Sequence, residues 1–317
     1  MIIAYQASDT SRPQEIDSSN LELLHHALWI DLINPTFEEE QQVERILHLD
    51  VPTREEMREI ELSSRLYKEN DTLFMTGTMI AQSDTVSPKQ DAVTFVLTKK
   101  QLITIRYIEP QAFRLFTALV KRSVVQDPAQ LLIELLEITV DRLADILELI
   151  SHHLETYSKT IFQQQGSEKP SYQQLMQQLG VNGELNAKIV ESLVSFNRLI
   201  AFFAQSASVD QEGAQRVATL GKDINALNDH ANFLSNKISF LLDATLGMVH
   251  IEQNAIIKIF SVAAVIFLPP TLIASIYGMN FNVMPELSWK YGYPLAFGLM
   301  LLSSWLPYKY FKYRKWL

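Results

Sequence analysis

The 317-residue chain contains no cysteine, which excludes a disulfide framework and any thiolate metal site. Its first residues, Met1–Tyr5, lack the basic cluster and apolar run of a signal peptide. A Gly-x-x-x-x-Gly-Lys-Ser/Thr loop and a nucleotide fingerprint after a strand are also absent, so no nucleotide cofactor is predicted. Because no nucleophile–base pair or metal-ligand spacing stands out, the chain is not predicted to be an enzyme.

Basic charge is in deficit: 27 Lys and Arg face 36 Asp and Glu, a net charge of −9. The acidic residues dominate the long N-terminal part, whereas the tail is purely basic, with Lys309, Lys312, Arg314 and Lys315. An acidic body argues against a nucleic-acid partner, whose phosphates require basic surface. The acidity serves either solubility or a store of carboxylates that bind divalent cations, and both alternatives stay open.

Charged residues are absent from Ile259–Asn282 and again from Tyr291–Tyr308. Each stretch approaches the ~20 residues that a helix needs to cross a bilayer. The linker Phe281–Lys290 is too short for a domain, so the two spans should form a tight hairpin in membrane lipid. The basic tail places the C-terminus in the cytoplasm by the positive-inside rule. Two spans then return the N-terminal part to the same side, and the linker faces outward.

The N-terminal region shows mixed helix and strand patterns. Leu28–Leu32 is a candidate strand, and a helix is expected to follow Thr36 and run through Leu49. A capping box is expected at Thr53, with Glu56 as its partner. Arg65–Ile80 and Ala92–Tyr107 each resemble a hairpin. These elements predict an α+β domain, with an antiparallel-rich sheet covered by helices.

Helical periodicity begins at Pro128. A second long helix is predicted from Leu185 to about Ala207, after a polar break at 163–170. A further break at 209–213 precedes a helix without proline from Ala214 to Leu268, which should continue into the first span. One face of this last helix has the three-and-four spacing of a coiled-coil seam. Its members are Ile224, Leu227, Ala231, Leu234, Ile238 and Leu241.

The loop between the two spans carries the most specific motif. Tyr277–Phe281 reads Tyr-Gly-Met-Asn-Phe, and Met284–Leu287 reads Met-Pro-Glu-Leu. With Phe267–Thr271 (Phe-Leu-Pro-Pro-Thr) before them, these motifs resemble the CorA-type magnesium channels, strongly from Asn254 onward and more loosely upstream. The resemblance implies a funnel-like homo-oligomer, the family's pentamer. It also implies passive uptake of hydrated divalent cations across a bacterial inner membrane, chiefly Mg²⁺ with Co²⁺ and Ni²⁺ as further candidates, and gating by cytoplasmic Mg²⁺.

The predicted organisation has a cytoplasmic domain, long cytoplasmic helices, a stalk helix that includes the first span, an outward loop, a second span and a basic tail. In that order the segments are 1–127, 128–208, 214–277 (with the span at about 257–277), 278–290, 291–308 and 309–317.

Two helices leave no interior, so a conducting chain must surround a path with several copies. A stripe of small, polar and apolar residues along the first span would line it. The members are Asn254, Ile257, Ser261, Ala264, Leu268, Thr271 and Ser275. Because Mg²⁺ gives up its water reluctantly, amide, hydroxyl and carbonyl oxygens can hold the hydrated ion. Rings of Ile257 and Leu268 would close the path by dewetting. Alternatively, small residues only allow helices to pack closely in lipid.

Gly278, Met279 and Asn280 extend the same path outward. A ring of asparagines presents several carbonyl oxygens to a hydrated cation, and the resemblance implies that this ring is the selectivity filter. Gly278 would let the backbone leave helical geometry. Glu286 is the acid near the outer mouth; it either concentrates cations or lies at the headgroup level as a surface charge.

Pro269 and Pro270 fall in the middle of the first span and cannot donate to the carbonyls of Val265 and Ile266. In lipid these oxygens need partners. A kink or a water molecule in the path is expected to supply them.

The resemblance also implies regulatory Mg²⁺ sites between cytoplasmic domains, formed by acids in a loop after a strand and on the stalk helix. The loop candidates are Asp84 and Asp91, and the stalk candidates are Asp223, Asp229 and Asp243. The alternative for each acid is a solvated surface position.

Two other functions fit parts of the pattern. A zinc transporter of the same superfamily would keep the Gly-x-Asn loop but generally lacks Met-Pro-Glu-Leu. A membrane-anchored receptor or scaffold would have no need of the loop, and its cytoplasmic part should continue into an effector motif.

Overall fold

The structure is a computed structural model, which describes residues 1–6, 9–59, 61–85, 87–120, 127–163, 171–207, 209–280 and 284–314, without the side chains of 9–12, 62, 163, 286 and 287. The chain forms two compact units, Met1–Leu242 and Asp243–Leu317. The boundary falls inside one long helix, so a single backbone element belongs to both units.

The first unit is built on a mixed sheet of seven strands in the order β2-β1-β3-β7-β6-β5-β4. The strands are β1 Ile2–Gln6, β2 Asp9–Ile16, β3 Ala27–Ile33, β4 Leu66–Glu69, β5 Thr72–Ala81, β6 Lys89–Leu97 and β7 Leu102–Arg106. Within these described strands only β3 and β7 pair in parallel, with Trp29 opposite Leu102. The predicted antiparallel-rich sheet is therefore confirmed. The β1–β2 hairpin was not predicted; β2 is an edge strand, where Pro13 is tolerated.

The helices follow and separate these strands. They are a 3-10 helix Leu21–His26, α1 Phe37–Leu47, α2 Arg54–Met57, α3 Leu62–Arg65, α4 Gln111–Val120, α5 Pro128–Gln163, α6 Tyr172–Ser206, α7 Gln211–Tyr277, a 3-10 helix Pro285–Ser288 and α8 Gly292–Tyr313.

Local signals account for most of the element boundaries in the first unit. Thr53 and Glu56 form the predicted capping box, and Thr36 forms a second one with Glu39. The β4–β5 turn holds Asn70 and Asp71 at φ 47° and 66°, as a two-residue hairpin turn requires. The helix expected to reach Leu49 ends at Leu47, because His48 adopts a left-handed backbone, with φ 54°.

Helices cover both faces of the sheet. On one face, α4 places Phe116 edge-on against Trp29, with ring centroids 4.9 Å apart, and Tyr5 stacks on the same indole at 4.2 Å. On the other face, Val43 of α1 and Met57 of α2 belong to the buried apolar cluster that includes the strand residues. The arrangement is a sheet between helical layers, which confirms the predicted α+β class.

A buried ion pair ties β3 to β7. The Arg106 guanidinium donates to both carboxylate oxygens of Asp31, with the closest contact at 2.9 Å, and the Thr104 hydroxyl donates to Asp31 at 2.7 Å. Trp29 Nε1 donates to the Thr104 hydroxyl at 3.0 Å. Because every charged group here has several hydrogen-bond partners, the pair is tolerated in the core.

Helix α6 crosses β5 through a close backbone approach. The Ser192 hydroxyl donates to the Thr78 carbonyl at 2.6 Å, and the Thr78 amide donates to the Ser195 hydroxyl at 2.9 Å. A Cβ on Gly77 would lie 3.2 Å from the Phe196 ring, so glycine allows the helix to pack this closely.

Two expectations about the long helices need correction. The prediction of a start at Leu185 is wrong, because α6 begins at Tyr172, where the Ser171 hydroxyl accepts from the Gln174 amide. The predicted seam of α7 is a packing stripe within the chain itself. Its residues Ile224, Ala231, Leu234, Ile238 and Leu241 are buried, and Asn186 of α6 donates to the Ala231 carbonyl at 2.9 Å. The seam therefore does not by itself support an oligomer.

Candidate functional site

The second unit contains the end of α7 and all of α8. Among the described residues, α7 alone is long and apolar enough to cross a membrane, and only 6% of its most apolar stretch is buried in the chain. The low burial separates it from the core helix of a soluble protein. Helix α8 forms over 22 residues but does not meet the same test of length and composition, so the second span stays a prediction.

Helix α7 packs on α8 through one face. Val262 is buried, and Ala263, Ile266, Ile273 and Tyr277 are partly buried. Val262, Ile266, Ile273 and Tyr277 are separated by four, seven and four positions, which keeps them on one side of a helix with ~3.6 residues per turn. This face is apolar, as expected for contacts inside a hydrocarbon layer.

The predicted stripe lies on the opposite side, about 180° around the helix at ~3.6 residues per turn. All of its members are exposed: Asn254, Ile257, Ser261, Ala264, Leu268, Thr271 and Ser275. Exposure alone does not single them out, because Phe260 and Phe267 beside them are 71% and 68% exposed. The distinguishing property is chemical, since the stripe carries the amide and hydroxyl groups. The Thr271 hydroxyl donates to the Phe267 carbonyl at 2.8 Å, which leaves its oxygen able to accept.

The proline pair has a neighbouring helix as a partner for one of the two carbonyls that it deprives of a donor. Pro269 and Pro270 lie inside α7, which continues to Tyr277. The Ile266 carbonyl, deprived of the residue-270 donor, accepts instead from the Ser304 hydroxyl of α8 at 3.2 Å. For this oxygen α8 supplies a partner, and the predicted kink or water stays a prediction. No feature of the sequence near the prolines indicated Ser304.

The Gly-Met-Asn motif follows the last turn of α7. The Gly278 amide donates to the Ala274 carbonyl at 2.9 Å and the Met279 amide to the Ile276 carbonyl at 3.2 Å. A Cβ on residue 278 would approach the Ala274 oxygen to 3.2 Å, and the φ of Gly278 lies outside the left-handed region. Close approach, not an unusual backbone, is thus what favours glycine here. Asn280 is exposed beyond this turn.

The outer part of the loop is only partly described. Phe281, Asn282 and Val283 lie outside the described residues, and so does the side chain of Glu286. The backbone of Pro285–Ser288 forms a 3-10 turn. The role predicted for Glu286 therefore stays a prediction.

The two loop acids occupy different environments. Asp84 lies in the β5–β6 loop, 72% exposed and 3.9 Å from the Arg142 guanidinium. Asp91 was expected in the same loop, but it lies in β6, and its side chain is only 9% exposed. Arg58 and Arg54 lie 2.7 Å and 3.3 Å from its carboxylate. Such a carboxylate is already neutralised and is a poor candidate for a metal ligand.

The pKa of Asp91 reflects these partners. Burial by itself raises the pKa, but the hydrogen bonds from the Arg58 guanidinium and the Ala92 amide, with the charge of Arg58, lower it below its usual value. The Asp91 carboxylate is thus held ionised by neighbouring protein groups.

The stalk acids Asp223, Asp229 and Asp243 are exposed on α7. Asp223 lines a cavity of about 260 Å³ with Glu137 and Arg216. Burial raises the pKa of the nearby Asp141, and the charges of Glu137, Asp145 and Asp223 raise it further. The described residues contain no group of three His, Cys, Asp or Glu that could hold a metal ion within one chain.

Helix α7 has one polar face in its membrane-length segment, ends at the Gly-Met-Asn turn and packs on a second apolar helix. This combination is typical of a membrane transport protein. The chain belongs to the CorA-like Mg²⁺ transporter protein family, whose model matches residues 25–314. The magnesium transport proteins CorA of Pasteurella multocida and Escherichia coli are each 34% identical to it over 319 residues, covering 100% of both chains. The CorA magnesium transporter of Methanocaldococcus jannaschii superposes over 100% of this chain and 99% of its own, with TM-score 0.75 and 18% identity. At that identity the likeness shows the fold alone.

Proposed function

We propose that the protein transports Mg²⁺ across a membrane through a path lined by the stripe of α7. One observation carries the proposal: the amide and hydroxyl stripe lies opposite the α8-packing face and leads to the exposed Asn280. A face turned away from the chain's own second helix is available to line a path shared by several copies. Family membership and the magnesium transport relatives support the choice of ion.

The path requires an oligomer. One copy supplies a single polar stripe, which cannot enclose water, so several copies must place their stripes around a common axis. The pentamer implied by the resemblance is the proposed assembly. With α7 at the axis, α8 faces lipid, both termini are cytoplasmic and the Gly-Met-Asn loop faces outward, in a bacterial inner membrane.

The conduction mechanism uses outer-sphere contacts. A ring of Asn280 side chains accepts hydrogen bonds from the waters of a hydrated cation, so the ion keeps its octahedral shell. Hydroxyl and amide oxygens of Ser261, Thr271 and Asn254 continue these contacts inward. Between them, rings of Ile257 and Leu268 close the path when water leaves it.

The driving force is the membrane potential. It contributes ~2.3 kcal/mol per elementary charge per 100 mV, so a divalent cation gains about twice that on moving inward. No chemical step is needed, and no catalytic role is proposed. Such a passive path needs closing, and we assign this to Mg²⁺ bound by Asp84 of one copy and acids of α7 such as Asp223 of its neighbour.

The test is ion flux into liposomes that contain only the purified full-length chain, with a potential negative inside and an internal Mg²⁺ dye. We expect Mg²⁺ entry well above that of protein-free liposomes. Parallel assays with Co²⁺, Ni²⁺ and Zn²⁺ rank the ions. Entry no faster than in empty liposomes, or entry of Zn²⁺ alone, would contradict the proposal. Native mass spectrometry in detergent tests the assembly, and a monomer or dimer as the intact species would exclude the shared path.

A further inference from the structure

Pro270 leaves one backbone oxygen of α7 without its helical donor. The Ile266 carbonyl would accept from the amide of residue 270, which proline lacks, and α7 nevertheless continues to Tyr277. The Ser304 hydroxyl of α8 lies 3.2 Å from that oxygen and donates to it. The bond joins residues 38 apart in the chain. A side chain of α8 thus supplies the hydrogen-bond donor that the backbone of α7 lacks.

The neighbouring hydroxyl has a different role. Ser303 donates to the Met300 carbonyl of its own helix at 2.9 Å. Two adjacent serines of α8 therefore differ in one respect, since only Ser304 reaches α7 in these contacts. The chain thus offers its own matched control.

The surroundings make this bond consequential. In hydrocarbon no water replaces a missing donor, so a freed carbonyl needs a partner from the protein. Ile266 lies on the face of α7 that packs toward α8. In the sequence it falls between Ala264 and Leu268, which belong to the stripe on the opposite side of the helix. A fixed contact at Ile266 therefore sets the rotation of α7 at the level of Leu268.

We propose that Ser304 is a positioning residue for conduction: its hydrogen bond to the Ile266 carbonyl, made necessary by Pro270, fixes the orientation of the stripe. The proposal rests on the proposed function, because it takes the stripe as the lining of the path. Without the bond, α7 turns to find water for its carbonyl, and the Leu268 ring closes less completely. Ser304 itself does not touch the ion.

The experiment compares Ser304→Ala, Ser304→Thr and Ser303→Ala in the liposome flux assay. We expect Ser304→Ala to raise Mg²⁺ flux about threefold, the factor that an interhelical hydrogen bond of average strength is worth in a membrane protein. Ser304→Thr keeps the hydroxyl and Ser303→Ala keeps the bond, so both should match the unsubstituted chain. In a Pro270→Ala background the backbone amide is restored, and Ser304→Ala should have no further effect.

A second measurement separates this proposal from the proposed function. Because the chain has no cysteine, Ser275→Cys provides a single thiol on the stripe. Its modification rate by a charged, membrane-impermeant reagent should rise about threefold with Ser304→Ala, by the same factor, and should not change with Ser303→Ala. If the unsubstituted chain conducts no Mg²⁺, the proposed function fails, while this rate still tests whether Ser304 orients α7.

The proposal is overturned if Ser304→Ala changes neither flux nor thiol modification, or if Ser303→Ala has an equal effect. It is also overturned if the Ser304→Ala effect persists in the Pro270→Ala background. If Ser304→Ala alone fails to assemble, the double variant with Pro270→Ala should assemble. Failure of both would mean that Ser304 stabilises the helix pair in another way.

Discussion

The two units of the chain differ in where they place polar groups, which are buried and paired in the first and exposed on a helix in the second. In Met1–Leu242 the charged pair Asp31–Arg106 is buried and fully engaged in hydrogen bonds. In Asp243–Leu317 the stripe hydroxyls and amides are exposed, and large apolar residues such as Phe260 and Phe267 surround them. The first unit thus satisfies its buried charges within the chain, whereas the polar groups of the stripe have no cover from the second unit's own helices and are left, in the proposed function, to face water or an ion.

The two units also differ in whether their helix faces are covered within one chain. The first unit buries its own seam, because α7 packs on α6 within one chain. In the second unit the face opposite α8 is uncovered. We therefore expect substitutions in the first unit to act mainly on stability and regulation. Substitutions on the stripe should act mainly on transport.

The largest effect is expected from Asn280→Ala, which should abolish selective Mg²⁺ flux. The side chain is exposed beyond the end of α7, so its loss should change stability by no more than ~0.5 kcal/mol. Flux into liposomes and native mass spectrometry together measure the two effects. Asn236→Ala, at an exposed asparagine within α7, is the control. Undiminished flux in the Asn280 variant would place the filter elsewhere.

The next effect concerns stability in the first unit. Asp31→Ala leaves Arg106 buried without its carboxylate, and removal of one partner of a buried pair costs ~3–5 kcal/mol. Pulse proteolysis of the full chain in urea measures the loss. Asp71→Ala breaks the exposed Asp71–Lys99 pair, 2.9 Å apart, and should cost far less, because solvent screens that pair. Equal losses in the two variants would remove the distinction between buried and exposed pairs.

A smaller effect is expected for regulation. Asp84→Asn combined with Asp223→Asn should leave a conducting protein that millimolar internal Mg²⁺ inhibits less. Allosteric coupling of ~1–3 kcal/mol per site would shift the inhibition curve to higher concentration. Asp17→Asn with Asp71→Asn removes the same charge from other exposed positions and should leave the curve in place. A superimposable curve for the Asp84 and Asp223 variant would remove these acids from the sensor.

The features that the sequence predicted well depend on neighbouring residues. The capping box of Thr53 and Glu56, the hairpin within Arg65–Ile80 and the strand around Trp29 all follow from short-range patterns. Helical spacing also places the stripe residues of α7 on the side opposite the α8-packing face, while their role as the lining of a path stays a prediction. The Gly-Met-Asn motif indicated the family, and the match of the family model over residues 25–314 confirms it.

The features that it missed depend on distant partners. The sequence places Asp91 near a loop, but it does not show that Arg54 and Arg58, more than thirty residues away in the chain, lie beside its carboxylate. The seam of α7 had the spacing of an interchain contact, and spacing does not tell which helix covers it. Ser304 lies 38 residues from the carbonyl it completes. The first part of α6 contains Gly180 and Gly183, which lower helix propensity. The sequence therefore does not indicate that the helix begins as early as Tyr172.

The smallest predicted effect tests the ion pairs at Asp91. Arg58→Ala should lower the stability of the first unit by less than ~1 kcal/mol at pH 7, because the guanidinium is half exposed and screened by solvent. The pKa of Asp91 is lowered in the folded protein. Its contribution is therefore fully present above the ordinary aspartate pKa of ~3.9, and it disappears as the pH falls through the lower folded value.

The stability deficit of Arg58→Ala should thus be constant from pH 7 to 5 and shrink below pH ~4, where Asp91 begins to be protonated in the unfolded chain. Arg114→Ala, at an exposed position of α4, should show no such deficit at either end of the range. Urea unfolding of each variant at pH 7, 5 and 3.5 gives the comparison. A deficit that stays the same at pH 3.5 would mean that Arg58 stabilises the first unit through the packing of its side chain.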